Sequence, residues 1–309
     1  MKKCLIIINE LSGSIKRMNL EEIKSVFCFN YEPEVLKLYS KKQKYSPNGF
    51  DRVVICGGDG TFSKYFNNAK DCRDPNREII YIPFGTLNEK AKGNKSLAKL
   101  EPVLLNNLGS IADYYFSYVA ATGSFTPLGY VVNDKKKKKR KVFSYISKVL
   151  KEYKVHHVDA TISSISNTNI YIKDTFAIVM ILKSKECFGL KFNHLYREDN
   201  ETLYLLTIKA PKHKNVWGKI KLFFPLFRAF FIGFNKEYRS KYINFIPFKE
   251  QLNINLKKDE PFCVDGELVN INKENNLIEN INVVNRIAIY KRKDVDKMYA
   301  EHKHIDERI

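Results

Sequence analysis

No apolar run in this chain is long enough to cross a bilayer, and no two cysteines form a Cys-x-x-Cys pair. The first absence argues against a membrane-spanning helix. The second removes zinc ribbons and dithiol redox motifs. The six cysteines are Cys4, Cys28, Cys56, Cys72, Cys187 and Cys263. Cys4, Cys28 and Cys56 lie in apolar, strand-like surroundings, where a free thiol behaves as a small hydrophobe and a reducing compartment is implied. The six histidines show no metal-ligand spacing, and His156-His157 reads as a surface pair. No internal repeat is present. The start, Met1-Lys2-Lys3 before Cys4–Ile8, is too short for a secretion signal, so a cytoplasmic protein is expected. Acids are scarce as well. Thirty-four Asp and Glu face 53 Lys and Arg, a net charge of +19, which predicts an anionic partner: nucleic acid, nucleotide or a membrane surface. No RNA- or DNA-binding module is recognisable, so nucleic acid is not expected.

What the chain has is Val53-Val54-Ile55-Cys56-Gly57-Gly58-Asp59-Gly60-Thr61. A β-branched run, read as a buried parallel strand, ends in three glycines, one acid and one hydroxyl. Glycine permits tight turns and close approach. A helix is expected from Phe62 to Ala69. Strand, glycine turn and helix N-terminus together present backbone N–H groups to a phosphate. A carboxylate inside such a turn is repulsive to phosphate unless it holds a metal, orients water or accepts a proton. The turn therefore points to phosphate chemistry.

Further strands are expected at Cys4–Ile8, Val26–Asn30 and Glu78–Ile82, with helices over Asn19–Lys24 and from Pro33 to Lys44. The alternation indicates a parallel α/β sheet, in which ligands bind beyond the strand carboxyl ends. Asn9–Gly13, Gly57–Thr61 and Gly85–Asn88 would share that edge. After Asp113 the pattern turns to strands: Phe116–Ala121, Leu128–Val132, Ala160–Ile165, Asn169–Ile172, Phe176–Leu182, Leu203–Ala210, Lys241–Phe245, Leu252–Leu256, Pro261–Val264 and Arg286–Tyr290. An amphipathic helix is expected over Val142–Lys154. The expected division is an α/β nucleotide-binding domain over 1–115, a β-rich domain over 116–292, and a helical tail over 293–309 packing on the first domain.

Together and in this order the motifs resemble the diacylglycerol kinase catalytic-domain family, which includes bacterial lipid kinases and is related to sphingosine, ceramide and, distantly, NAD kinases. The resemblance rests on Ile7–Gly13, Gly57–Thr61, Gly85–Glu89, Phe116–Thr126 and Val264–Glu267, and extends over nearly the whole chain. It implies an α/β nucleotide-binding domain and a β-sandwich lipid domain with an active cleft between them. It also implies ATP and Mg2+, with γ-phosphoryl transfer to a lipid hydroxyl, diacylglycerol giving phosphatidic acid. Asn9, Ser12, Gly13, Gly57, Gly58, Asp59, Gly60, Thr61, Gly85, Thr86 and Asn88 would bind nucleotide. Glu267 would be the general base supported by Asp265, with Asp59 its rival. Asp199 and Glu201 stand where the family holds a structural magnesium ion, without the usual glycine. The implied setting is a lipid substrate at an anionic, inner membrane surface, with a homodimer possible.

Several positions depart from the family. Glu10 replaces a proline, Ser63-Lys64 replaces Asn-Glu, Glu89 replaces Asp, and Tyr31 stands where a nucleotide-contacting threonine is expected. These keep an alternative open: a relative that binds nucleotide or lipid as a sensor or scaffold without catalysis. Three segments have plainer readings. Asp265-Gly266 is a common hairpin-turn dipeptide. The run Lys135–Lys141 is a solvated loop or an attachment to anionic lipid. The aromatic stretch Val216–Phe234, interleaved with Lys219, Lys221 and Arg228, suits either a core helix under the sandwich or an interfacial helix.

Overall fold

The computed structural model describes residues 1–40, 43–69, 77–85, 102–124, 154–166, 169–187, 190–197, 201–274 and 276–306. The expected strand at 128–132, the basic run 135–141 and all but the last residue of the helix expected over 142–154 lie outside these, as do Cys72, Thr86, Asn88 and Asp199. The chain divides into two compact units, Met1–Asn106 with Asn282–Ile309, and Asn107–Ile281. Both breaks fall inside strands, Val103–Ile111 and Asn276–Ile289, rather than at the expected 115/116 and 292/293. The five described cysteines are buried and free. Among the described residues no helix is long and apolar enough to cross a membrane.

In the first unit, β1 (Lys3–Asn9) lies between β2 (Glu32–Leu38) and β3 (Arg52–Gly57), and β3 pairs with β4 (Glu78–Pro83), all in parallel. Leu5, Ile6, Ile7 and Ile8 are all buried, as a central strand covered on both faces requires. One face carries Cys4, Ile6, Ile8, Val54 and Cys56, which pack with Ile23 and Phe27 of α1 (Leu20–Phe27). The opposite face carries Tyr81, whose ring stacks on Phe62 of α2 (Asp59–Ala69) with centroids 4.5 Å apart. Strand order and the placement of helices on both faces make this a doubly wound sheet.

Two expected elements between β1 and β3 are exchanged. The run Val26–Asn30 is not a strand: Val26 and Phe27 form the last turn of α1, which Asn19 caps by accepting from the Glu21 amide at 3.1 Å. The segment from Pro33 is not a helix but β2. It is an edge strand exposed along most of its length, so it lacks the apolar signal of its neighbours. Pro33 is tolerated because it stands at the second residue of an edge strand.

The second unit contains β5 (Val103–Ile111, shared with the first), β6 (Tyr114–Phe116), β7 (Val119–Gly123), β8 (Val158–Ser164), β9 (Tyr171–Leu182), and the short pair β10 (Glu186–Cys187) and β11 (Leu190–Lys191). It continues with β12 (Leu203–Lys209), α3 (Val216–Phe227), β13 (Tyr238–Arg239), β14 (Ile243–Phe248), β15 (Leu252–Leu256), β16 (Glu260–Val264), β17 (Glu267–Ile271) and β18 (Asn276–Ile289). The expected strands at Asn169–Ile172 and Phe176–Leu182 are a single strand, β9, which pairs with β7, β8 and β12. Its residues alternate between two cores. Val179 and Ile181 face one built with β8, β15 and β16. Ile178, Met180 and Leu182 face another that Leu222 and Leu226 of α3 close. β18 pairs with β15 at its start and, in parallel, with β4 at its end, which makes it the fifth strand of the first sheet. It leads into α4 (Arg292–Asp306), whose Val295 is buried in the first unit's core.

Candidate functional site

The chain leaves β1 toward β2 on one side and leaves β3 toward β4 on the other, yet β1 and β3 are neighbours. Loops beyond the carboxyl ends of such a pair diverge and leave a crevice, the usual ligand site of doubly wound sheets. Asn9 at the end of β1 spans this point. Its Nδ2 donates to Thr61 Oγ1 at 2.7 Å, and its Oδ1 accepts from the Leu11 amide at 3.0 Å. The loop after β4 joins them: the Phe84 and Gly85 amides both donate to the Gly57 carbonyl, at 2.6 and 3.1 Å, and the Ser14 amide donates to the Phe84 carbonyl at 2.9 Å. Three separate loops are thus tied together at one edge of the sheet. Ser12 is half-buried and Gly13 exposed in the first of them.

The glycines serve close approach rather than unusual dihedrals. Neither Gly57 nor Gly58 has a positive φ. A Cβ on Gly57 would lie 2.5 Å from Thr61 Oγ1, and one on Gly58 would lie 3.1 Å from the Gly85 Cα. Replacing Gly57 by Ala is expected to cost about 1–3 kcal/mol through overpacking and to break the Asn9–Thr61 bond; urea denaturation at an unchanged m-value would read it.

The helix begins earlier than Phe62. The Gly58 carbonyl accepts from the Thr61 and Phe62 amides at 2.9 and 3.1 Å, so Asp59 and Gly60 belong to the first turn of α2. Asp59 is therefore not in the turn. It is a buried acid at a helix N-terminus, where the helix dipole favours its charge, and the Tyr81 hydroxyl lies 3.4 Å from its Oδ1. Ser63 is buried, and its carbonyl accepts from Asn67 Nδ2 at 3.0 Å.

Tyr31 does not stand at the nucleotide edge. It precedes β2, at the amino end of the sheet, with the Arg52 guanidinium 4.1 Å above its ring. The carboxyl end of β2 is Leu38, followed by Tyr39 and Ser40. Sequence reasoning also missed Arg292. Because β18 runs parallel to β4, α4 starts at the carboxyl edge, and Arg292 lies 5.6 Å from the centroid of the Phe84 ring while donating to the Arg17 carbonyl at 3.3 Å. No local pattern marks a residue brought there from so far along the chain.

In the second unit, Asp265 and Gly266 form the two-residue turn between β16 and β17, with φ of 47° and 91°. Positive φ at both positions is what a tight hairpin of matching twist needs. Asp265 is also 1% exposed. Its Oδ2 accepts from the Ser117 amide and hydroxyl at 2.5 and 2.8 Å, and its Oδ1 from the Tyr118 and Val119 amides at 3.1 and 2.9 Å. The expected strand Phe116–Ala121 is interrupted there, between β6 and β7, because the carboxylate takes the amides that a ladder would use. Burial pushes the Asp265 carboxyl up to about 6 against the pull of these donors. Both of its oxygens are committed to the fold. Glu267, half-buried, opens β17 opposite Val264. Glu201 is exposed before β12, and no cluster of His, Cys, Asp and Glu suited to a metal occurs among the described residues. Asp199, the other residue expected at the structural magnesium ion, lies outside the described residues.

Residues 3–104 match the model of the diacylglycerol kinase catalytic domain. A Streptococcus pneumoniae protein named "Putative lipid kinase" is 26% identical over 201 residues, covering 59% of this chain and 67% of that one. A Bacillus anthracis crystal structure described as a "putative diacylglycerol kinase" aligns with TM-score 0.63 and 16% identity over 93% of this chain and 96% of its own. Another from that organism, described as a diacylglycerol kinase, aligns with TM-score 0.56 and 15% identity over the same shares. At these identities the solved structures establish the fold, which is common to nearly the whole chain. Over residues 3–104 the chain is similar to diacylglycerol kinase catalytic domains.

Proposed function

We propose that the protein is an ATP- and magnesium-dependent lipid kinase that transfers the γ-phosphoryl group of ATP to the hydroxyl of diacylglycerol, giving phosphatidic acid at an anionic membrane surface. The observation that carries the nucleotide half is the Asn9–Thr61 hydrogen bond across the switch point, which holds two loops around the glycine cradle. The cradle fits a phosphate: glycine lets backbone approach it closely, and the first turn of α2 directs N–H groups outward. Magnesium carried with ATP would neutralise charge on the β- and γ-phosphates. Asp59 would orient that charge or the bound water, and Arg292 would add a cation at the same edge. In the transfer, Glu267 takes the hydroxyl proton, the lipid oxygen bonds to the γ-phosphorus, and the bond to the β-phosphate oxygen breaks as ADP leaves. Asp265 builds the hairpin that presents Glu267.

The test is ATP-dependent formation of phosphatidic acid on diacylglycerol-containing vesicles. Wild type is expected to turn over, and Asp59→Asn to lose roughly 10²–10³-fold. No product from the wild type, or equal rates for both proteins, would overturn the assignment. ATP binding by calorimetry with no turnover on any lipid would instead identify a nucleotide-binding relative without catalysis.

A further inference from the structure

α3 carries two apolar faces on opposite sides, with Lys219 and Lys221 in the sectors between them. Gly218, Leu222 and Leu226 form the buried stripe, continued by Ala229 in the π-helical segment Arg228–Ile232. They pack on the face of β9, β12 and β14 that carries Met180, Leu206 and Phe245. At 100° per residue, Ile220, Phe223, Phe224 and Phe227 fall on the opposite side. These residues are exposed, Phe224 to 68%, as is Trp217 to 69%. Phe223, Phe227 and Phe231 stack successively, with centroids 6.0 and 5.2 Å apart. A helix with an apolar face on each side buries both only inside a core or in lipid. Here only half of it is inside a core.

The charge beside this ridge has one sign. From Thr202 to Lys236 the chain contains no Asp or Glu, while Lys212, Lys214, Lys219, Lys221, Arg228 and Lys236 occur in or next to the helical segment. Lys219 and Lys221 flank the aromatic ridge, one on each side of it by helical angle. Aromatics in the middle, bases at the flanks and no acid make the pattern of an element lying in the plane of an anionic bilayer. A second copy of this chain would bring the same positive charge against itself.

We infer that the exposed ridge of α3 and the following π-helical segment is the docking surface by which the protein inserts into an anionic lipid bilayer. Its bearing on lipid phosphorylation rests on the kinase reading; the docking itself does not. The chain's single tryptophan, Trp217, sits on this ridge and reports on it.

The experiment follows Trp217 emission on addition of phosphatidylglycerol vesicles, phosphatidylcholine vesicles, and phosphatidylglycerol vesicles with brominated acyl chains. Emission is expected to shift to the blue with phosphatidylglycerol, weakly with phosphatidylcholine, and to be quenched by bromine. The double variant Phe223→Glu with Phe227→Glu, exposed in the folded protein, is expected to bind roughly 100-fold more weakly. Its activity on a short-chain, water-soluble diacylglycerol should equal the wild type's. Unchanged Trp217 emission with phosphatidylglycerol vesicles, or equal binding by the variant, would overturn the inference. So would a wild-type dimer that the variant converts to monomer without vesicles, since the ridge would then cover a second copy. Binding without turnover by the wild type would sink the kinase reading and leave the docking intact.

Discussion

Glu267→Gln is expected to lower kcat for phosphatidic acid formation by roughly 10²–10⁴-fold while leaving ATP affinity unchanged. Glutamine matches glutamate in size and keeps its place opposite Val264 at the start of β17, so the hairpin is undisturbed. What it loses is the capacity to take a proton. Because the two candidates for that role belong to different elements, their variants separate cleanly. Asp59 stands in the first turn of α2, in the glycine cradle, and its loss should weaken ATP binding as well as turnover. A Glu267 variant that weakened ATP binding, or retained full turnover, would move the base elsewhere. An acceptor lipid with a more acidic hydroxyl should partly relieve the Glu267→Gln defect, since a better leaving proton needs less help.

Asp265→Ala is expected to destabilise the second unit by roughly 3–5 kcal/mol, because it strands three buried amides and one hydroxyl that now share a single carboxylate. Asp265→Asn should cost nearly as much, since its amide group would place donors against donors. The pH dependence has a definite sign. The carboxyl rises to about 6 in the folded protein, above its usual range near 3.8. Folded protein therefore binds this proton more tightly than unfolded protein does. The group's contribution to stability is greatest below pH ~4, declines as pH rises through ~6, and is level above that. Urea midpoints of wild type and Asp265→Asn between pH 4 and 8 would show the slope in the first protein and its loss in the second. An Asp265→Asn protein as stable as wild type would return Asp265 to the list of acid–base candidates.

These two neighbours illustrate what could be read from residues alone. Asp265-Gly266-Glu267 offered two carboxylates and, equally, a hairpin turn, and the structure uses the dipeptide for the turn. The partners that commit Asp265 lie near residue 117, and no local pattern carries that information. Buried parallel strands were legible because both faces must be apolar: β1, β3 and β4 stand within a residue or so of their expected ends. β2 was not, since an edge strand with Glu32-Pro33-Glu34 needs no apolar face. Its misplacement also carried Tyr31 to the wrong edge of the sheet. The close approach that the glycine motif permits was legible, since packing against Thr61 and Gly85 requires glycine there without any left-handed backbone. In the aromatic stretch Val216–Phe234, the structure bears out a core helix for one stripe and leaves the other stripe exposed.

β18 has a consequence for synthesis. The first unit's fifth strand and α4 lie after Asn282, so a ribosome completes the whole second unit before the first can close. Until then β4 is an unpaired edge, with Ile79, Ile80 and Tyr81 along it, and the α1 face lacks Val295. The unit begun first is thus finished last. The nascent chain carries an open, apolar sheet edge through most of its elongation, in the interval when a trigger-type holdase would have most to cover.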